Sequence, residues 1–268
     1  MTPADRAEAV SLLVRSRLRP GLVPTLSDRW PTMQTRDAYR IQEECLREWA
    51  ASGRTLLGYK ILLTRPELQQ RFHTREPAFG RLLDDSILAD RSVVDVASVV
   101  HATAEPEVAF QLGRDVSASW SSLDEVRCAI RTVAASIEIP TRHMAWGSKL
   151  TNVVADNGGA GYAVIGRPNA RGLPPTLRGL NVVVRKNGVP VAQGNTDAAY
   201  GDPVRALAWL ARRLALVGQA LKAGQVIMTG SCTPAIEVQP GDIVDVEIQS
   251  IGCASAQFAD LRLLVPGL

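Results

Sequence analysis

Apolar residues near the N-terminus recur three or four positions apart, and from about Leu56 onward they gather instead into short runs broken by turn signals. Thr2-Pro3 supplies an N-cap with proline at the first helical position, and Val10, Leu12, Leu13 and Leu18 follow as the apolar positions of a first helix. A proline-containing stretch, Arg19 to Pro31, interrupts that pattern. A second helix is expected from Thr35 to Ser52, with Ala38, Ile41, Cys45 and Trp49 on one face and Gly53 as its stop. Beyond it, strand-like runs are expected at Gly58 to Leu63, Glu107 to Leu112, Ala160 to Ile165 and Leu180 to Val184. Among them, Ser122-Leu123-Asp124-Glu125 reads as the capping box of a helix running to about Ala135.

The C-terminal third carries sharper signals. Val182 to Ala192 reads as a hairpin, with Asn187-Gly188 supplying the positive φ angles of a tight turn. Asp202-Pro203 opens a helix whose Leu207, Leu210, Ala211 and Leu214 face inward and whose Arg205, Arg212 and Arg213 face solvent, with Gly218 as the stop. Strands are expected at Gln225 to Thr229, Ile243 to Ile251 and Ala256 to Val265. The regular alternation of strand and helix that marks a doubly wound sheet is missing, so the fold class is α+β. The chain is expected to divide into a helical N-terminal subdomain, residues 1–57, and a strand-rich domain, residues 58–268.

Composition narrows the function classes. With 268 residues, 46% hydrophobic and 21% charged, the chain is long enough for a sizeable core and ordinary for a globular protein. A net charge of +3 and scattered Lys and Arg argue against a nucleic-acid partner. Cys45, Cys128, Cys232 and Cys253 are widely spaced without a CxxC pattern, which fits reduced thiols in the cytoplasm. No apolar stretch reaches the length needed to cross a bilayer, so no membrane partner is expected. GxGxxG, P-loop and GxSxG motifs are absent, which disfavours nucleotide cofactors and covalent hydrolase chemistry.

The candidate chemistry lies in two apolar segments. In His101 to Gly113, strand alternation sends Glu105 and Glu107 to one face with Pro106 turned away between them. Glu138 sits in Val133 to Pro140, where an acid is costly to bury unless it is paired, protonated or bound to a metal. Oxygen-only ligands suit Mg2+ or Mn2+ and not zinc or copper. The same residues also fit an edge strand with its acids facing water and proline marking the edge.

Several strings together resemble one family: GYKILLT at Gly58 to Thr64, EPEVAFQLG at Glu105 to Gly113, IEIP around Glu138, VVADNGGAGYAVIG at Val153 to Gly166, and KAGQVIMTGS through PGD at Lys222 to Asp242. In this order they are similar to the 2-keto-4-pentenoate hydratases and related 4-oxalocrotonate decarboxylases of the fumarylacetoacetate hydrolase superfamily. The resemblance implies a mixed β-roll catalytic domain behind a helical N-terminal portion, a homo-oligomer, and Mg2+ or Mn2+ held by Glu105, Glu107 and Glu138. It implies a small-molecule 2-oxo- or 2-hydroxy-enoate substrate, and an enolate stabilised by the cation on the 2-oxygen. Lys60 matches the lysine of the family's GWK or GYK motif, Asn157 its DN loop, and Thr229-Gly230-Ser231 a substrate-facing loop.

Three departures from the family pattern stand out. Glu76-Pro77-Ala78-Phe79-Gly80 places Ala78 where an aspartate is expected, leaving Glu76 or His73 to take the acid/base part. Thr141-Arg142-His143 replaces an Asp-Ser-Arg-like string, and Gly158-Gly159-Ala160 lacks serines. His101 could serve as a base near the acids, and His143 could replace an arginine contact. The expected function is a divalent-metal-dependent lyase hydrating a 2-hydroxy-2,4-dienoate to a 4-hydroxy-2-oxo acid in aromatic or steroid ring catabolism. The alternatives are a 2-oxo-3-enedioate decarboxylase, with Arg75, Arg81 or Arg142 holding the second carboxylate, and a biosynthetic isomerase or cyclase that kept the metal and lost hydration. A non-catalytic partner subunit with the same fold is the reading outside enzymes.

Overall fold

The computed structural model describes residues 1–18, 22–116 and 122–263. Three helices lead the chain: α1 (Pro3–Leu18), α2 (Leu26–Arg29) and α3 (Thr35–Ala51). The Thr2 hydroxyl accepts from the Asp5 amide at 3.1 Å and so caps α1, as Thr2-Pro3 predicts. The short α2 lies inside the stretch expected to be irregular, whose residues 19–21 lie outside the described residues. Helix α3 buries Ala38, Ile41, Cys45 and Trp49, the face its spacing predicts. That face joins Leu13, Leu26, Val153 and Val154 in a core of its own.

The strands that follow are β1 (Leu56–Leu62), β2 (Ala78–Leu83), β3 (Ile87–Ala89), β4 (Val93–Asp95), β5 (Thr103–Leu112), β6 (Ile130–Ile139) and β7 (Tyr162–Ile165). After them come β8 (Asn181–Lys186), β9 (Val189–Asn195), β10 (Val226–Met228), β11 (Ile236–Glu237), β12 (Ile243–Ile248) and β13 (Gly252–Ala259). Helices α4 (Pro66–Arg71), α5 (Leu123–Arg127), α6 (Leu150–Ala155) and α7 (Pro203–Ala215) interrupt them. One sheet runs β2-β1-β10-β5-β6-β7-β3, with β11 joined to β5, and a second runs β4-β13-β12-β8-β9. Both are mixed: β1 with β10, β3 with β7 and β4 with β13 pair in parallel, and the other pairs are antiparallel. Val133, Ala135 and Ile137 of β6 share one core with Val244, Val246 and Phe258 of the second sheet. This is the α+β, curled-sheet arrangement with a helical N-terminal portion that the strand-rich pattern predicts.

The hairpin forms as expected, with Asn187 at φ 54° and Gly188 at φ 79°. Asp202 caps α7 by accepting from the Val204 amide at 2.8 Å. Three expectations are overturned. The capping box at Ser122 and Glu125 is present, yet its helix ends at Arg127 and does not run to Ala135. Residues Ile130–Ile139 become β6, because Thr132, Val133, Ile137 and Ile139 are β-branched and both edges of that segment find partners in β5 and β7. Arg213 does not face open solvent, since its guanidinium lies 5.2 Å from the centroid of the Tyr39 ring. The strand expected over Ala256 to Val265 instead begins at Gly252 and ends at Ala259, and Leu261–Leu263 coil into a 3-10 turn; Leu264 and Val265 lie outside the described residues.

Candidate metal and substrate site

Strands β5 and β6 run antiparallel with Glu105 opposite Glu138 and Glu107 opposite Ser136. Alternation puts Glu105 and Glu107 on one face, and the register brings Glu138 to the same place, so that one oxygen from each acid lies within 4.8 Å of the others. Glu107 and Glu138 are buried and Glu105 is half-buried. The edge-strand reading fails: β5 lies inside the sheet, with β6 on one side and β10 and β11 on the other. Pro106 falls in the gap between those two short partners, where the missing N–H leaves no ladder bond unmade.

A loop fills that gap. The Thr229 hydroxyl donates to the Val108 carbonyl at 2.9 Å, the Gly230 N–H donates to Glu107 Oε2 at 2.8 Å, and the Cys232 N–H donates to the Pro106 carbonyl at 2.8 Å. Gly230 holds φ at +109°, and a Cβ there would stand 2.6 Å from the Thr64 side chain, so only glycine brings its amide this close. On the other side, Lys60 of β1 is buried, forms an ion pair with Glu138 Oε1 and donates to the Gly158 carbonyl at 3.0 Å. Glu138 Oε2 is buried with no hydrogen-bond partner among the described residues.

Electrostatics make the arrangement costly without a cation. Burial and then the Glu138 charge push the Glu105 carboxyl up to about 7 from an ordinary 4.5, against the opposing pull of Lys60. The same two causes push Glu107 well above its usual range. Burial works against the Lys60 ammonium, but the charges of Glu138, Glu105 and Glu107 outweigh it and raise its pKa. Fully ionised, the three acids against one ammonium leave two negative charges, an unpartnered buried oxygen and only oxygen donors, a set that fits a divalent hard cation.

The native, metal-free protein retains protons on Glu105 that the unfolded chain releases near 4.5, so its stability falls as pH rises from there through about 7. Urea melts in chelator at acid and alkaline ends of that window are expected to show this fall, and added Mg2+ is expected to recover most stability at the alkaline end. Equal midpoints at both ends would contradict the electrostatic account.

A cavity of about 150 Å³ opens onto the acids, lined by Lys60, Glu105, Glu107, Gly158, Ser231 and a wall that includes Leu63, Leu68, Phe72 and Trp146. Arg65, Arg71 and Arg142 line it as well. Asp156 is buried beside it, accepting from the His143 amide at 3.0 Å and the Trp146 indole N–H at 2.7 Å, and pairing with His143 Nδ1 at 2.8 Å. Arg142 lies 4.7 Å from the Trp146 ring centroid.

Several expected site residues take other places. Asn157 does not reach the cavity; its amide accepts from the Arg81 N–H at 2.8 Å and donates to the Arg81 carbonyl at 2.9 Å, clamping the loop to β2. Thr229 and Gly230 serve β5 and Glu107 in the same way, and of that trio only Ser231 lines the cavity. His73 and Glu76 are exposed and outside the lining, so neither stands in for the aspartate absent at Ala78, itself buried. His101 is exposed, and His143 is engaged by Asp156. Gly80 carries the reason for the clamp: a Cβ there would overlap the Asn157 carbonyl oxygen. Arg65, Arg71 and Trp146 were missed by the sequence reading. The only local signal was Arg65-Pro66 opening α4 directly after β1.

Residues 60–259 match the family described as fumarylacetoacetate (FAA) hydrolase, C-terminal. The chain is 33% identical to a 2-keto-4-pentenoate hydratase of Paraburkholderia xenovorans strain LB400, over 96% of each chain. It is 32% identical to a 4-oxalocrotonate decarboxylase of Pseudomonas sp. strain CF600, over 88% of this chain and 90% of the relative. In three dimensions it is similar to the 4-oxalocrotonate decarboxylase of Pseudomonas putida G7 complexed with magnesium and adipate, with TM-score 0.91 and 29% identity, covering 96% of this chain and 98% of that one.

Proposed function

The chain belongs to the fumarylacetoacetate hydrolase family, and from that premise and the geometry of its acids we propose that it is a hydro-lyase using a divalent metal to convert a 2-hydroxy-2,4-dienoate into a 4-hydroxy-2-oxo acid. The observation that carries this reading is the convergence of half-buried Glu105 with buried Glu107 and Glu138, with Lys60 against them. The three acids would hold Mg2+ or Mn2+. When bound, the ion supplies Lewis-acid stabilisation of negative charge on the substrate's 2-oxygen.

The chain's own residues do the rest. Gly230 and the Lys60 ion pair fix two of the acids before any ligand arrives, so little reorganisation is left for the reacting complex. Arg65, Arg71 and Arg142 offer guanidinium donors to an acidic substrate. Leu63, Leu68, Phe72 and Trp146 present apolar surface to the diene. The dienol gives up its hydroxyl proton, its terminal carbon takes one, and water then adds its oxygen to the fourth carbon and a proton to the third. With the acids engaged as ligands and arginine unable to deprotonate, Lys60 is the ionisable group of the lining with a proton to give and take back.

A second reading, decarboxylation of a 2-oxo-3-enedioate, is favoured by the same three arginines, which outnumber what a single substrate carboxylate needs. Of the cations first considered for it, Arg142 lines this cavity, whereas Arg81 lies on the opposite face of β2 and Arg75 is exposed outside the lining. Proton NMR of the Mg2+-loaded protein with 2-hydroxypenta-2,4-dienoate, and separately with its carboxylated dienedioate analogue, decides between them. A 4-hydroxy-2-oxo acid from the first is the expected product; carbon dioxide from the second, without hydration of the first, would replace this reading with the decarboxylase. Arg142→Ala is expected to raise KM about tenfold or more, the effect of one charge-assisted hydrogen bond, with kcat little changed.

The division into a helical subdomain, residues 1–57, and a β-roll catalytic domain, residues 58–268, is supported by α1 to α3 ending at Ala51 just before β1. A homo-oligomer in the cytoplasm, acting in aromatic catabolism, completes the proposal. Four free cysteines suit a reducing compartment. Among the described residues no helix is long and apolar enough to cross a membrane.

A further inference from the structure

Alternation along β2 sends Gly80 toward Lys60 and the Asn157 loop, and Phe79 and Arg81 to the opposite face. On that opposite face a second cavity of about 420 Å³ lies between β2, α3 and the end of α7. Its floor is aromatic: Tyr39 stacks on Phe79 with centroids 4.9 Å apart and planes 24° from parallel. Its walls are cationic, with Arg36, Arg40, Arg47, Arg81 and Arg213 in the lining and Glu43 as the one carboxylate.

That carboxylate is already engaged. Glu43 pairs with Arg81 at 2.5 Å, lies 3.8 Å from Arg47 and accepts from the Gln219 amide at 3.0 Å. Arg36, Arg40 and Arg213 have no ion-pair partner among the described residues. Two buried polar atoms in the lining also lack partners, the Arg81 Nε donor and the Gln219 Oε1 acceptor. Arg81 is itself only 3% exposed, so this unmet donor belongs to a built site and not to a mobile surface chain. The rings are flanked by charge, with Arg81 5.4 Å from the Phe79 centroid and Arg213 5.2 Å from that of Tyr39.

We propose that this cavity is a second ligand site, back to back with the catalytic cavity, for a small planar aromatic carboxylate. The carboxylate meets the guanidinium groups of Arg36, Arg40 and Arg213, and the flat body lies against the stacked rings. A phosphate would use the cations and leave the stacked rings unused. Exposed Leu216 and Val217 at the end of α7 offer a different occupant, a second copy of the chain.

The test is calorimetric titration of the Mg2+-loaded protein with 4-hydroxybenzoate, with cyclohexanecarboxylate and inorganic phosphate as comparison ligands. The aromatic acid is expected to bind most tightly. Arg213→Ala and Arg40→Ala are each expected to weaken it about tenfold or more, while Glu107→Gln leaves it unchanged. Two separate arginines are used, with circular dichroism on both, so that misfolding of one variant does not decide the matter. The proposal is overturned if phosphate binds as well as the aromatic acid, if binding is lost in Glu107→Gln and kept in both arginine variants, or if no binding occurs at millimolar ligand. Sedimentation showing the arginine variants dissociated from a larger wild-type assembly would likewise overturn it, in favour of a subunit contact.

Discussion

Glu107→Gln is expected to lower kcat/KM by about a thousandfold, because several kcal/mol of transition-state stabilisation rest on a cation that this carboxylate would help to hold. The amide oxygen can still accept from the Gly230 N–H, so the loop over β5 keeps its anchor. What changes is charge: the pocket's excess of two negative charges becomes one, and one donor to the cation is weakened. The metal-free variant is expected to melt no lower than the wild type, since burial and the neighbouring Glu138 make the Glu107 carboxylate a cost in the empty pocket. Activity and stability should therefore move in different directions. Parallel measurements of turnover, Mg2+ affinity and thermal unfolding read all three; an unchanged rate at saturating Mg2+ would count against every metal-lyase reading of this chain.

The second large effect is expected at Lys60. Removing one partner from a buried ion pair costs about 3–5 kcal/mol, so Lys60→Met should destabilise the metal-free protein strongly. It also removes the donor to the Gly158 carbonyl, loosening the loop that Asn157 clamps to β2. Mg2+ is expected to return much of that stability by neutralising the three acids. It should not return the rate, which is expected to stay about a hundredfold or more below wild type because the group that holds the transferable proton is gone. Wild-type turnover in a Mg2+-saturated, folded Lys60→Met variant would show that Lys60 only balances charge.

Much of this was legible before any coordinates. The period of α3, the turn at Asn187-Gly188 and the cap at Asp202 are local, set by residues within a few positions of one another. The common face of Glu105 and Glu107 is equally local, since alternation along one strand determines it. The helix expected to reach Ala135 shows the limit of such reasoning. Its start signal at Ser122 is real, but what lies beyond Arg127 is decided by β5 and β7, which complete both edges of β6. The segments around Asn157 and Thr229 read as loops from their residues, while the work their side chains do is not readable there. Asn157 turns to the Arg81 backbone and Thr229 to that of Val108, partners 76 and 121 positions away.

The sequence by itself determined the α+β class, the helical N-terminal portion, the family through the motifs around Lys60, Glu105 and Glu138, and an oxygen-only donor set suited to a hard divalent ion. Only the tertiary structure decided that Glu138 stands opposite Glu105, that Lys60 reaches them, and that Arg65, Arg71, Arg142 and Trp146 border the same cavity. It also decided that Arg81 and Arg213 face a different cavity altogether. The physical reason is that side-chain period and turn chemistry act over a few residues of chain. Strand register and sheet order are set by burial and pairing between segments far apart in sequence, and charges meet only where those choices bring them.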